Sequence, residues 1–479
     1  MKNKISILLT LSIILTLLLA ACELPLPTQT NTAGNQAVAE ASETETTTEE
    51  TNSSVTPSQM DTPEDTPEET ETPTATEETS EGDESPTPEE TVTSTAQTYG
   101  PTDFPENINP LTGLPVDDPA LLKLPPALIS ISNFPSSARP QAGINTSPIV
   151  FEMAVGEGMT RFLALFYGGF PELVSGQTEG QTGGNSDGSA SGGTSDDGSP
   201  GEEGSGSGET TAGATASIGP IRSGRLPYEG IRSFYSGFLV MASAYSGVAQ
   251  TLNNTTSIYG SDSDDINSAL IDVNKLYAIA QSRAEGYPGS NFSLEGMKFS
   301  PTPPESGQAA DQVWIFYSNL NQVQWLYDEE LGAYVRYDIK TDGSGEFVMA
   351  TDRLSGEPVS RENVIVIFAE HDYIAPTLIN IQLTNMPPMK ALLFRDGEMH
   401  EIFWTTRFGE YEQQTGLLRP MRFVDAEGNP VALKPGYTWV EIVSTSSYST
   451  ESELSATPFF PIKEAEGTGL WLVRYKGKY

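Results

Sequence analysis

Apolar residues along the chain are concentrated in short runs whose length and spacing indicate strands. The first three runs beyond the N-terminal region are Ala127 to Ser132, Pro148 to Val155 and Met159 to Tyr167. Only Gly156-Glu157-Gly158 separates the second run from the third, which predicts a β-hairpin. Leu226 to Ser236 then has the spacing of a short helix, and Phe238 to Ala244 that of a buried strand. This alternation predicts a mixed α/β fold for the first half of the folded chain.

The pattern changes from Val313 onward, where aromatic residues fill most apolar runs. These runs are Val313 to Tyr317, Val323 to Tyr327, Tyr334 to Tyr337, Asn363 to Phe368, Ala391 to Phe394 and Glu401 to Thr405. Turn sequences such as Asp396-Gly397 separate several of them, which predicts a mainly antiparallel β domain with most tryptophans in its core. Phe423 to Leu433 and Thr438 to Val443 are predicted to form a closing hairpin.

A stretch rich in Pro, Ser and Gly, Pro301 to Ala310, lies between these two halves and indicates an interdomain boundary. The expected fold class is therefore α+β. An N-terminal mixed α/β domain is predicted over residues 106–300, and a mainly antiparallel, β-rich C-terminal domain over residues 311–479.

Two long segments lack the apolar residues that a folded core requires. Residues 23–105 are dominated by Thr, Pro, Ser and Glu, and 19 Asp and Glu but no Lys or Arg lie between Glu23 and Gly100. Residues 175–217 are rich in Gly, Ser and acidic side chains. This composition predicts a disordered acidic tether and a disordered insert in the N-terminal domain. Since the chain has no Lys/Arg-rich run, a nucleic-acid partner is not expected.

The N-terminus has the pattern of a bacterial lipoprotein signal peptide over residues 1–22. Lys2 and Lys4 precede an apolar run from Ile5 to Leu19, and the small residues Ala20 and Ala21 lead to Cys22. Cys22 is the predicted lipidation site, and an ordinary signal peptide followed by a chance cysteine is the alternative. The chain is thus expected on the extracytoplasmic face of the bacterial membrane, which it contacts through its lipid anchor. As Cys22 is the only cysteine, disulfides and thiolate catalysis are excluded.

Charged residues in or beside the apolar strands are the candidates for a functional site. They are Arg139, Glu152, Glu157, Arg161, Arg222 and Arg225. Because burial of an unpaired charge is costly, such residues either pair with one another or face a ligand. The alternatives are a structural ion-pair network and an arginine-lined cleft for an anionic ligand. Acid/base chemistry on a glycan by two carboxylates is a third possibility.

Only two histidines are present, and neither predicts a catalytic or metal site. Glu370-His371-Asp372 is more typical of a polar strand edge than of zinc ligation, since adjacent residues on a strand point to opposite faces. Ser223 lacks the Gly-x-Ser-x-Gly context of a hydrolase nucleophile, so a catalytic triad with His371 or His400 is not expected. The sequence contains no phosphate-loop or dinucleotide-binding motif. No metal and no cofactor are expected.

Four motifs in this order resemble the YerB-like family of bacterial lipoproteins. They are Asn109 to Gly113, Ala138 to Gly143, Thr160-Arg161-Phe162 and Ile218 to Arg225. The resemblance continues into a C-terminal family domain, and it implies an envelope lipoprotein with an N-terminal α/β domain and a β-rich C-terminal domain. It implies no reaction, because the family is one of unknown function. This chain departs from the family pattern in two places. It has the insert over residues 175–217, and the acidic residue of its third motif lies at Glu157.

These observations favour an envelope lipoprotein that binds a ligand or assembles with a partner and does not catalyse a reaction. Its expected partners are the membrane and either a small anionic ligand or an envelope protein. The alternative is an envelope hydrolase that acts on cell-wall material through Glu152 or Glu157.

Overall fold

The computed structural model describes residues 97–172, 216–259, 268–286, 292–453 and 464–478. The predicted signal peptide with Cys22, most of the tether and nearly all of the insert lie outside these residues. Across the described ranges, helices are too short or too polar to cross a membrane.

The N-terminal half contains short strands and most of the helical residues. Its strands are β1 (Ala127–Ser132), β2 (Ile149–Gly156), β3 (Met159–Phe166), β4 (Ser217–Ile218), β5 (Phe238–Met241), β6 (Thr255–Ser257), β7 (Ile271–Asp272) and β8 (Lys298–Phe299). Its helices are α1 (Pro227–Phe234), α2 (Ser246–Ala249) and α3 (Val273–Gly286). Short 3-10 turns lie at Pro119–Lys123, Ser136–Ala138 and Ile144–Thr146. The predicted strand over residues 127–132 and the predicted hairpin around Glu157 are confirmed.

The C-terminal half is almost entirely strand. Its first strands are β9 (Gln308–Ala309), β10 (Gln312–Ser318), β11 (Asn321–Asp328), β12 (Ala333–Ile339), β13 (Phe347–Met349), β14 (Ser360–Arg361), β15 (Asn363–Ala369) and β16 (His371–Ala375). The remaining strands are β17 (Leu378–Ile381), β18 (Met389–Arg395), β19 (Glu398–Thr405), β20 (Arg422–Val424), β21 (Ala432–Leu433), β22 (Thr438–Ser444), β23 (Tyr448–Glu451) and β24 (Leu470–Arg474). One short helix, α4 (Glu410–Thr415), interrupts them. The β-rich character predicted for this half is confirmed, and all five tryptophans are buried.

One large sheet runs through both halves of the sequence. Its strand order is β20-β19-β18-β15-β22-β2-β3-β1-β5-β6, and β9 pairs with β19. Within this sheet the two halves join at the parallel pair of β2 and β22, in which Ile149 lies opposite Thr438. Residues 301–310 are therefore not a break in the hydrogen bonding of this sheet. The domain limits derived from the sequence stay a prediction.

The strands of the large sheet mostly point in the same direction. β2, β22 and β15 are parallel neighbours, and β1, β5 and β6 are parallel neighbours on the other side of the antiparallel β3. The carboxyl ends of these six strands therefore lie along one side of the sheet, which we call the carboxyl edge. Ligand sites in open sheets with parallel strands commonly occur at such an edge.

Each face of the large sheet is covered by a different layer. The second sheet, in the order β13-β12-β11-β10-β24-β23, covers one face. Between the two sheets, Phe162 and Trp325 lie edge-on to Trp439, with ring centroids at 5.0 and 5.2 Å. Helix α1 contributes to the layer on the other face through residues such as Tyr228. Since side chains alternate along β3, neighbouring residues of this strand enter different layers.

The predicted closing hairpin is wrong. Phe423 lies in β20, which pairs with β19, and Leu433 lies in β21, which pairs with β8. Thr438–Ser444 is instead a central strand between two parallel neighbours. Its seven buried residues fit this central position, because parallel strands are covered on both faces.

The turn between β2 and β3 requires glycine at its first position. Gly156 has a φ of 113°, and a Cβ placed on it would lie 2.0 Å from the carbonyl oxygen of Pro376. Gly156→Ala should therefore lower the free energy of unfolding by about 2 to 4 kcal/mol, from backbone strain and overlap together. Urea denaturation followed by circular dichroism measures this change.

Gly169→Ala is the matched control, because a Cβ at Gly169 would meet no atom within 4 Å. Equal stability of the two variants would contradict the close packing of the turn against Pro376.

Candidate functional site

The segment Ile218–Arg225 lies between the carboxyl ends of the parallel strands β1 and β5. The backbone N–H of Arg222 donates to the carbonyl of Ser130 at 2.8 Å, and the N–H of Ala242 donates to the carbonyl of Arg222 at 3.0 Å. The segment thus fills the gap that opens where the two strands separate. Helix α1 begins immediately after it, so a helix N-terminus lies at the same place.

Three arginines lie together at this part of the carboxyl edge, and we call them the arginine site: Arg161, Arg222 and Arg225. Arg161 is the third residue of β3, is only 6% exposed, and donates from Nη1 to the carbonyl of Ser223 at 3.3 Å. The Nε atoms of all three arginines are buried and make no hydrogen bond. Among the described residues, no carboxylate forms an ion pair with any of the three.

The positive charges at the arginine site repel one another. Burial, and to a smaller extent the positive charges of Arg225 and Arg222, lower the pKa of Arg161 to about 10. Burial and the charge of Arg225 also lower the pKa of Arg222. Arg161 nevertheless remains protonated at neutral pH. An anion placed here would relieve the repulsion and use guanidinium donors that no described protein group occupies.

Hydroxyl groups surround the arginine site. The hydroxyls of Ser223 and Ser243 are 3.3 Å apart, and the hydroxyl of Ser130 contacts that of Tyr228 at 3.2 Å. Ser130 also donates to the carbonyl of Ser223 at 3.2 Å, which fixes the loop that carries the arginines. The site therefore combines fixed cationic groups with neutral hydrogen-bond donors.

Glu152 lies on the opposite face of the large sheet from Arg161 and takes part in a different cluster. It is fully buried and accepts hydrogen bonds from Thr160 Oγ1 at 2.6 Å, Asn133 Nδ2 at 3.3 Å and Arg336 Nη1 at 2.8 Å. The sheet therefore separates Glu152 from Arg161, because side chains alternate along its strands. A substrate would contact Glu152 only after this packing had opened.

The cluster around Glu152 is centred on Arg336, and we call it the buried ion-pair network. Arg336 contacts Asp338 at 3.0 Å and Glu441 at 3.7 Å as well as Glu152. Its guanidinium also lies 4.6 Å from the centre of the Trp439 ring. A single cation thus joins strands of both sheets.

Arg139 belongs to this network and not to the arginine site. Its Nε donates to Asn133 Oδ1 at 2.9 Å, and its Nη1 lies 3.7 Å from Asp338. The arginine of the predicted Ala138 to Gly143 motif therefore closes the end of the network.

Glu441 accepts hydrogen bonds from the Tyr317 hydroxyl at 2.8 Å and the Trp325 indole N–H at 3.0 Å. Burial and the charge of Glu152 raise the pKa of Glu441 to about 8. With Glu441 protonated, Arg139 and Arg336 face the carboxylates of Glu152 and Asp338, and the network carries no net charge.

Arg336, Asp338 and Glu441 are not among the residues that the sequence predicts for a functional site. The signal that could have found them is a charged residue inside an apolar run, as in Val335-Arg336-Tyr337 and Val440-Glu441-Ile442. That signal does not show which charges meet, because Glu152 and Glu441 are each more than 100 residues from Arg336 in the chain.

Glu157 belongs to neither cluster. It lies exposed in the turn between β2 and β3 with a φ of 54°, and it lines a separate cavity. The two carboxylates named for hydrolysis are thus one buried and one exposed residue.

His371 contacts backbone and aromatic groups, whereas His400 lies beside a carboxylate. His371 donates from Nδ1 to the carbonyl of Ala369 at 2.9 Å, and burial lowers its pKa to about 4. His400 lies 3.4 Å from Glu398. No set of three or more potential metal ligands lies close together in the part of the chain that the structure describes.

Two segments of the chain match the two domain models of one protein family. Residues 111–176 match the family described as "Protein of unknown function (DUF3048) N-terminal domain", and residues 313–440 match the corresponding C-terminal domain. The chain therefore contains both domains of this family, and the resemblance seen in the sequence motifs is confirmed.

The chain is similar to the "Putative lipoprotein YerB" of Bacillus subtilis (strain 168). The two are 25% identical over 350 residues, which cover 70% of this chain and 85% of that protein. The crystal structure of the YerB protein from Bacillus subtilis aligns with a TM-score of 0.48 at 21% identity, over 70% of this chain and 96% of that one.

The two arginine environments predict opposite effects of the same substitution. Arg336→Met leaves Glu152, Asp338 and Glu441 without their shared cation and should lower the free energy of unfolding by about 3 to 5 kcal/mol. Arg222→Met removes one of three mutually repelling charges and should leave the melting temperature unchanged or raise it. Differential scanning calorimetry of both variants measures this contrast. A large loss of stability in Arg222→Met would show that the arginine site is a structural element.

The raised pKa of Glu441 predicts a pH dependence of stability. The folded chain retains this proton above pH 4.5, where an unfolded glutamate releases it. The contribution of Glu441 to the free energy of unfolding is complete below pH 4.5 and is lost as the pH rises towards about 8. Glu441→Gln, which stays neutral, should therefore melt at an increasingly higher temperature than the parent between pH 5 and pH 8.

Glu401→Gln is the control for this experiment, because Glu401 is exposed on β19. A melting-temperature difference that does not change with pH in Glu441→Gln would contradict a protonated Glu441.

Proposed function

We propose that this chain is a lipid-anchored binding protein of the bacterial cell envelope. The signal sequence ending at Cys22 supports the anchor, and the name of its Bacillus subtilis relative contains the word lipoprotein. The acidic segment after Cys22 would then act as a tether on the extracytoplasmic side, and it ends before the predicted limit of residue 105, because Tyr99 already pairs with Phe299 in the described structure. At roughly 5 to 6 Å times the square root of its length, such a tether holds the folded part tens of ångströms from the membrane.

The proposed ligand of the folded part is an anion held by the arginine site. The observation that carries this proposal is the burial of Arg161 next to Arg222 and Arg225, with no carboxylate partner in the described parts of the chain. Three guanidinium groups cost free energy to hold together, and an anionic ligand offsets this cost. The buried ion-pair network provides the comparison, since its arginines do have carboxylate partners.

The anion that fits best is a phosphate or a similar doubly charged oxyanion. Guanidinium groups form paired hydrogen bonds with phosphate oxygens, and several of them can engage different oxygens at once. The N-terminus of α1 and the hydroxyls of Ser223 and Ser243 add favourable dipoles and donors. A single carboxylate has too few acceptor positions to use all of these groups.

We propose binding without catalysis at this site. An anion on the arginines would lie on the face of the sheet away from Glu152, and Glu157 is a single exposed carboxylate. The hydrolase hypothesis, which needs one of these residues as an acid or base, has no comparable support.

We also propose that the two predicted domains have different roles. Residues 106–300, with their expected α/β character, supply all three arginines of the site. Residues 311–479 supply Arg336, Asp338 and Glu441 and act as the scaffold that supports it.

Isothermal titration of the purified chain with inorganic phosphate, sulfate and acetate at low ionic strength tests the anion site. Phosphate and sulfate should bind and acetate should bind more weakly. Arg222→Met and Arg225→Met should each weaken phosphate binding roughly 10- to 100-fold, because a hydrogen bond to a charged group contributes about 1.5 to 3 kcal/mol.

Arg407→Met serves as the control, since Arg407 is exposed and distant in sequence from the arginine site. Absence of phosphate and sulfate binding, or equal effects of all three variants, would contradict the proposed function.

A further inference from the structure

A cavity of about 390 Å³ opens at the carboxyl end of β2, beside the turn into β3. Its lining includes Gly156–Met159, Tyr317, Tyr373, Ile379, Tyr475 and Lys476. Neither the residues of the arginine site nor the adjacent Ser223 and Ser243 line it. Its volume lies in the range of small-molecule sites in proteins.

The walls of the cavity are aromatic and held in place. The ring centroids of Tyr317 and Tyr475 are 5.5 Å apart, and the hydroxyls of Tyr373 and Tyr475 are hydrogen-bonded at 2.8 Å. His371 stacks on Tyr373 at 5.9 Å and lies edge-on to Tyr475 at 5.7 Å. The rings are therefore fixed before any ligand arrives, which reduces the entropic cost of binding.

The mouth of the cavity carries one group of each charge and a serine hydroxyl. Glu157 supplies a carboxylate and Lys476 an ammonium group, and both residues are exposed. Ser318 also lines the cavity, and its hydroxyl donates to the carbonyl of Gly158 at 3.0 Å. Acceptors and donors are thus present around an aromatic wall, and the charges of the lining cancel.

We propose that this cavity binds a neutral saccharide of one or two sugar rings. A pyranose ring has an apolar face of C–H groups that packs on an aromatic ring, while its hydroxyls both donate and accept hydrogen bonds. The tyrosines match the first requirement, and Glu157, Lys476 and the hydroxyl of Ser318 match the second. The absence of net charge in the lining matches a neutral ligand.

Other occupants fit the lining less well. A lipid chain would leave the carboxylate and the ammonium group of the mouth against hydrocarbon, which is costly. A phosphate-bearing ligand would meet the carboxylate of Glu157 at the mouth. A peptide would be accommodated by similar groups, so it is included in the test as a competing outcome.

Isothermal titration of the purified chain with N-acetylglucosamine, its β-1,4-linked disaccharide and trisaccharide, and maltose tests this proposal. At least one of these sugars should give saturable binding. Met159→Trp, which places a large side chain at the half-buried edge of the cavity, should weaken that binding at least tenfold. Lys476→Met, on an exposed residue, is a second variant whose folding is not at risk, and it should weaken binding several-fold.

Two controls separate this site from the rest of the molecule. Val348→Trp adds the same side chain at a position that is 49% exposed on β13, away from the cavity, and should bind sugar like the parent. Arg222→Met should also bind sugar like the parent, so a failure of the anion proposal leaves this result interpretable. The proposal would be overturned if none of these sugars gave a binding heat or if both cavity variants bound sugar like the parent. Stronger binding of trialanine than of every sugar would also overturn it.

Discussion

The guanidinium of Arg336 is the interaction on which the arrangement of the two sheets depends. It is shared by Glu152 on β2, Asp338 on its own strand and Glu441 on β22, and it lies over the indole of Trp439. Removing one partner from such a buried group would leave an uncompensated charge in a medium of low polarity. The sheets are thus held in one relative position, more specifically than apolar packing alone would require. The raised pKa of Glu441 is a consequence, because two buried carboxylates beside one arginine cannot both ionise at low cost.

The large sheet separates two sets of charges that are neighbours in the sequence. Thr160 and Arg161 are adjacent, yet Thr160 donates to Glu152 within the sandwich while Arg161 lies on the side of helix α1. On the first side the charges are paired and stabilise the fold. On the second side three arginines remain without carboxylate partners among the described residues, and this difference is the physical basis for assigning them to a ligand.

Both proposed sites follow from the direction of the strands. Because β1, β2 and β5 point the same way, the segment with Arg222 and the turn with Glu157 lie along the carboxyl edge. Only a two-residue step along β3, roughly 7 Å, separates Met159 in the cavity from Arg161 in the arginine site. The antiparallel β3 therefore links the two sites. The close packing of Gly156 against Pro376 fixes the turn between β2 and β3, which lies at the cavity.

The sequence by itself determined the local elements, the family and the class of residues at the arginine site. The β2–β3 hairpin, strand β1 and the burial of the tryptophans follow from apolar patterning and turn residues, which act over a few positions. Only the tertiary structure decided that Thr438–Ser444 is a central strand, that Arg139 and Glu152 belong to a network around Arg336, and that Arg161, Arg222 and Arg225 form a separate group. These outcomes depend on contacts between residues far apart in the chain, such as Glu152 and Arg336, and on which face of a strand each side chain occupies. A one-residue shift in strand register reverses that face, and no local pattern in the chain specifies it.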